Sequence, residues 1–197
     1  MIPGKVFERK YNAQSVVDNE AGAAMPYQEL SSSKIAAVID YPADSFDVIT
    51  ACQCFWYFDH VKVAPELHRL LRKDGKLVIL YMAWLPFEDE IAGRSEELIH
   101  KFNPDWTGGG ETKHPIHIPD VMYDYFNMEE HEEYDLNVPF TRETWHGRMI
   151  ACRGVGASLS PEELARWDAE HRKLLEAVPD SFNVLHYAAI SVLKRKN

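Results

Sequence analysis

Two short runs dominated by apolar and β-branched residues, Phe46–Cys52 and Leu77–Met82, bracket a segment whose apolar positions fall at helical spacing. Each run reads as a strand buried on both faces, because its apolar character is nearly continuous instead of alternating. Between them, Val63, Leu67, Leu70 and Leu71 predict a helix over 61–73, and Lys73-Asp74-Gly75 reads as a basic last turn with a glycine stop. Strand, helix and strand with short links predict a βαβ crossover in a parallel sheet, hence an α/β sandwich.

Downstream, the pattern predicts a helix over 88–101 and an irregular excursion over 102–120, where Gly108 to Gly110, Pro104, Pro115 and Pro119 interrupt any periodicity. That excursion, within an insertion spanning 102–127, is long enough to cap a site. A strand is expected over 130–138 and a helix over 142–153. Ser160-Pro161-Glu162-Glu163 starts a second helix with an N-cap, a proline in the first turn and a capping-box glutamate, running to about Ala177. A last strand covers 184–193. Residues 34–39 are a short apolar run closed by a turn, and residues 1–34 carry no readable periodicity. No internal repeat is present, and a single domain over 1–197 is expected, with a divergent or truncated front at 1–39.

Composition narrows the function. The 31 acidic residues outnumber the 21 basic ones for a formal charge of −10, a surface that disfavours nucleic acid as a partner. The apolar runs are too short for a membrane span, and three cysteines with no leader-like start suggest a soluble protein of the cytoplasm. Cys52 and Cys54 form a CxC pair without a second pair, and His114, His117 and His131 sit among glutamates without the helical spacing of a zinc site. Buried packing and a solvated acidic patch are the simpler readings, and no metal is expected. The GxG of Arg153 to Ser158 follows a helix instead of linking strand to helix, so it reads as a loop.

The run from Asp40 to Met82, DYPADSFDVITACQCFWYFDHVKVAPELHRLLRKDGKLVILYM, resembles the class I S-adenosylmethionine-dependent methyltransferases of the type 11 group. The likeness lies in a P-x-x-SFDVI strand, a Q-x-F-x-W-F-D-like segment and a helix ending R-x-LK-x-GG-x-L, where this chain has Lys73-Asp74-Gly75. It extends through FTRETWHGRM and FNVLHYAAISVLKRK to about residue 193. The resemblance implies a Rossmann-like methyltransferase sandwich with a cap-like insertion, S-adenosylmethionine as cofactor and a small-molecule methyl acceptor. Ala51, Cys52, Gln53, Phe55 and Trp56 would then bind the cofactor, and Tyr57, Tyr81, Trp84, Trp145 and Arg148 the acceptor. Aromatic walls with one arginine would suit a partly apolar acceptor with a negative group.

The family's glycine-rich loop has no counterpart here, since Gly4 and Gly22 are the only glycines before Asp40. The resemblance therefore implies an N-terminally incomplete sheet. The alternative is a non-catalytic remnant acting as a binding or oligomerisation module, with a possible homodimer covering the open side of the Phe46–Cys52 strand.

Overall fold

The computed structural model describes residues 41–197; expectations for the residues before Tyr41 lie outside it. The described elements are β1 (Phe46–Cys52), a 3₁₀ turn (Phe55–Tyr57), α1 (His60–Leu70), β2 (Leu71–Trp84), α2 (Glu90–Phe102), α3 (Met122–Tyr125), β3 (Phe126–Thr141), α4 (Arg142–Ile150), α5 (Pro161–Leu175) and β4 (Ser181–Arg195). The four strands form one sheet in the order β1-β2-β4-β3.

β1 and β2 are parallel, with Thr50 opposite Val78 and Ala51 opposite Ile79. The expected βαβ unit is therefore present, with α1 as its crossover. β4 runs the other way beside β2: the Arg195 guanidinium donates to the Leu71 carbonyl at one end, and the Leu85 N–H donates to the Leu185 carbonyl at the other. β3 is antiparallel to β4 by the same logic, since Lys196 N–H reaches the Tyr125 carbonyl and His131 meets Ser191. The result is a mixed α/β sheet of Rossmann-like type, and no described helix is long and apolar enough to cross a membrane.

Two expectations change in detail. β1 buries Phe46, Ile49 and Ala51 but leaves Val48 44% exposed. It is the outermost of the described strands, so one side lacks a described neighbour. The first helix ends at Leu70, not Lys73: Leu71 still donates its N–H to Leu67 but has already turned to extended geometry. Leu71 is fully buried, so helical periodicity in the sequence runs on through the residue that begins β2. Lys73-Asp74-Gly75 forms a tight bend in β2, with Asp74 at φ 65° and no room at Gly75, where a Cβ would lie 2.8 Å from the Arg72 carbonyl oxygen.

The other caps follow the sequence closely. Ser160 and Glu163 make the reciprocal capping box of α5 with Pro161 in the first turn, and Thr141 with Thr144 does the same for α4. Asp89 caps α2 by accepting from Ala92 N–H, and its second oxygen accepts from Leu185 N–H of β4.

The described residues divide into two compact units, one of residues 41–81, 116–133 and 189–197, the other of 82–115 and 134–188. The first has a core around Phe46, Ile49, Phe55, Leu67, Leu77 and Ile79. The second is built on Trp84, Trp145 and Trp167 with Ile99, Met149 and Val184.

Candidate active site

In the first unit, the candidate cofactor residues lie where β1 ends. Ala51 is buried, Cys52 is exposed, and the chain reverses at Gln53, whose φ of 56° is a left-handed conformation for a non-glycine residue. Such a conformation costs on the order of 1–3 kcal/mol and gathers at ligand sites. The Gln53 N–H donates to the Leu80 carbonyl, which ties the bend to β2.

The aromatic run that follows divides into a floor and a shelf. Phe55 is fully buried in the core and meets the Trp56 ring edge-on at 5.6 Å, so it offers no surface of its own to a ligand. Trp56 is half-buried, donates its indole N–H to the His117 carbonyl at 3.5 Å and stands edge-on to Tyr81 at 5.5 Å. Tyr57 is 43% exposed. The cofactor set of the sequence reading thus comes together at one strand tip, with Tyr57 and Tyr81 beside it.

Burial pushes the Cys54 thiol up to about 11, with neighbouring Cys52 acting in the same direction. It stays protonated at neutral pH and is neither an activated nucleophile nor a ready thiolate ligand. Among the described residues, no three His, Cys, Asp or Glu side chains gather as a metal site. His131 bonds to Ser191 and Glu133.

Trp84, Trp145 and Arg148 belong to the second unit and form a cluster of their own. Trp84, at the end of β2, meets Trp145 edge-on at 5.8 Å. Trp145 is fully buried and donates its indole N–H to Ser95 Oγ at 3.0 Å. The Arg148 guanidinium lies 4.8 Å over the Trp84 ring. Its other contact is a long one to Cys152 Sγ at 3.7 Å, and no carboxylate among the described residues pairs with it.

Sequence reasoning missed three groups here. Glu96 is 5% exposed and accepts from the Trp84 indole N–H and from Gly110 N–H. A Cβ on Gly109 would lie 2.8 Å from Glu96 Oε2, so the triple glycine lets the loop close on this carboxylate. That glycine run beside a lone tryptophan was the available signal. His186, 3% exposed, sits beside Trp84 and stacks on Phe140 with centroids 6.1 Å apart. Its position in an apolar strand gave no sign of chemistry. The third is a relay that runs from a part-exposed carboxylate into the core: Asp168 Oδ1 to His146 Nε2 at 2.8 Å, His146 Nδ1 to His171 Nδ1 at 2.8 Å, and His171 Nε2 to Ser95 Oγ at 3.1 Å.

A parallel βαβ unit continued by two antiparallel strands, with polar and aromatic residues at the tip of β1, is a Rossmann-like α/β arrangement. Residues 10–79 match the family described as "Methyltransferase domain", a span that includes β1, α1 and most of β2. No curated protein matches the chain. Solved structures similar to it include the YcgJ protein of Bacillus subtilis, 18% identical, covering 82% of this chain and 69% of that one with a TM-score of 0.36. A protein from Anaeromyxobacter dehalogenans, provisionally assigned as a type II methyltransferase, is 16% identical over 87% of this chain and 69% of its own, with a TM-score of 0.46. Phosphoethanolamine N-methyltransferase 2 of Haemonchus contortus, solved with phosphomonomethylethanolamine and S-adenosylhomocysteine, is 14% identical over 80% of this chain and 35% of its own, with a TM-score of 0.34.

Proposed function

We propose that the protein is an S-adenosylmethionine-dependent methyltransferase acting on a small molecule in the cytoplasm. The observation that carries this reading is the methyltransferase-domain match over the β1-α1-β2 unit. The residues at the tip of β1 fit the adenosine half of the cofactor. Trp56, three residues after the left-handed turn at Gln53, and Tyr81 offer a half-buried aromatic shelf. When bound, the cofactor supplies an electrophilic methyl group on a sulfonium, so the protein's task is alignment, exclusion of water and, where needed, a base. Ala51, Cys52, Gln53 and Trp56 bind the cofactor over Phe55, and Tyr57 and Tyr81 beside them face the acceptor.

Calorimetric titration with S-adenosylhomocysteine tests the reading. A saturable heat with Kd of about 10 μM is expected, in the range of ordinary substrate constants. Trp56→Ala should weaken binding about 10- to 100-fold, the worth of one base stacked on an aromatic ring. No heat at millimolar ligand overturns the reading. It would favour instead a binding or oligomerisation module, for which the exposed Val48 on outermost β1 is the supporting feature.

A further inference from the structure

We propose that Cys52 and Cys54 form a reversible disulfide across Gln53, a redox switch at the tip of β1. The switch regulates the cofactor site proposed above and rests on that reading. Cys52 is the last residue of β1, lies opposite Leu80 of β2 and is exposed. Gln53 then takes its left-handed φ of 56° and donates its N–H to the Leu80 carbonyl, so the bend between the two cysteines is pinned to the sheet.

A residue with helical dihedrals of either hand sets the Cα atoms on its two sides about 5.4 Å apart. An extended residue holds them at about 6.6 Å. A disulfide is most at ease at about 5.5–6 Å and reaches its limit near about 6.8 Å. The left-handed turn therefore spaces Cys52 and Cys54 for a bridge that a straight strand would oppose. The Cys54 thiol is turned back toward this bend: main-chain hydrogen bonds from Cys52 and from Cys54 itself reach it, and the Cys52 thiol acts on it through space. Cys152 is buried in the core of the second unit and takes no part.

Hydrogen peroxide supplies the oxidant. The exposed Cys52 sulfur attacks one peroxide oxygen, the O–O bond breaks, the other oxygen leaves as water, and Cys52 becomes a sulfenic acid. The Cys54 sulfur attacks that sulfur, its proton departs with the hydroxyl as water, and the S–S bond closes. Two thiols and one peroxide thus give one disulfide and two waters. The short chain between the thiols makes closure cheap in entropy. The small ring is strained, and strained or exposed disulfides are the readily reduced ones. Once closed, the bridge takes up the Cys52 side chain and holds Gln53, both of which serve the cofactor in the reduced protein.

The intact chain is treated with hydrogen peroxide, alkylated with iodoacetamide and digested with trypsin, which leaves both cysteines in the peptide 35–62. That peptide should be unalkylated and lighter by two hydrogens, and dithiothreitol should return it to the doubly alkylated form. In Cys54→Ser, dimedone should trap Cys52 as its sulfenic acid, an adduct that the unsubstituted chain, closing the bridge, does not accumulate. The bridged protein should bind S-adenosylhomocysteine about 10- to 100-fold more weakly than the reduced one, a loss comparable to that of one aromatic stack. Two free thiols in the peptide after peroxide, a bridge to a second chain in place of the internal one, or unchanged affinity in the bridged protein overturns the proposal. Absence of heat from the reduced protein is a failure of the cofactor reading instead, and the peptide map, which needs no ligand, still reads the bridge.

Discussion

Trp145→Ala is expected to destabilise the second unit by about 3–5 kcal/mol, the usual cost of truncating a large buried aromatic. Trp145 has no exposed surface and packs edge-on against Trp84 at 5.8 Å and Phe140 at 5.0 Å. Its loss removes this packing and one hydrogen bond to Ser95 Oγ. Trp145→Phe keeps most of the ring contact and loses the N–H, so a cost of about 1–2 kcal/mol is expected for it. Urea midpoints followed by circular dichroism measure both. A cost below 1 kcal/mol for the alanine variant would mean that this tryptophan is not a core residue.

Acidification should destabilise the fold through His171 before the carboxylates titrate. His171 is fully buried, and its pKa is pushed down to about 3, chiefly by burial and then by neighbouring His146, with Asp168 opposing. The two Nδ1 atoms meet at 2.8 Å, so the contact takes one hydrogen, and a second sets N–H against N–H.

A base with a lowered pKa in the fold is neutral there while the unfolded chain, near 6.5, already binds the proton. Stability is complete above about pH 6.5 and falls as pH drops from there toward 3, by about 1.4 kcal/mol per pH unit for one proton. Asp168, whose carboxyl is held low first by its bond to His146, adds its own loss only at lower pH. His60 and His186 are shifted down like His171, so a variant provides the readout. His171→Gln should be less stable at pH 7 but should lose about one proton from the slope between pH 6 and 4.5. An unchanged slope would contradict the assignment. The fluorescence of Trp167, stacked 4.6 Å from His171, is a convenient probe.

Much of the fold was legible because it rests on local patterns. The strand Phe46–Cys52 is found where its β-branched run placed it, and Ser160 caps α5 as its motif required. The helix end at Leu70 was not legible, because Leu71 continues a helical apolar stripe while its burial belongs to β2. That Ala51 to Trp56 lie at the end of a strand was legible from where the apolar run stops. Glu96, His186 and the Asp168–His146–His171–Ser95 relay were not. Their partners lie 12 to 76 positions away for Glu96 and Ser95, and no short-range spacing encodes such contacts. His186 sits within the apolar pattern of β4 and differs only in the lone pair that the Val184 bond leaves on Nε2.

Binding of the methyl donor at the tip of β1 is tested most directly by amide hydrogen exchange with and without saturating S-adenosylhomocysteine. The predicted result is slowed exchange concentrated on residues 51–57, around the Gln53 turn and Trp56. No protection there, or protection confined to residues 134–188, would contradict it.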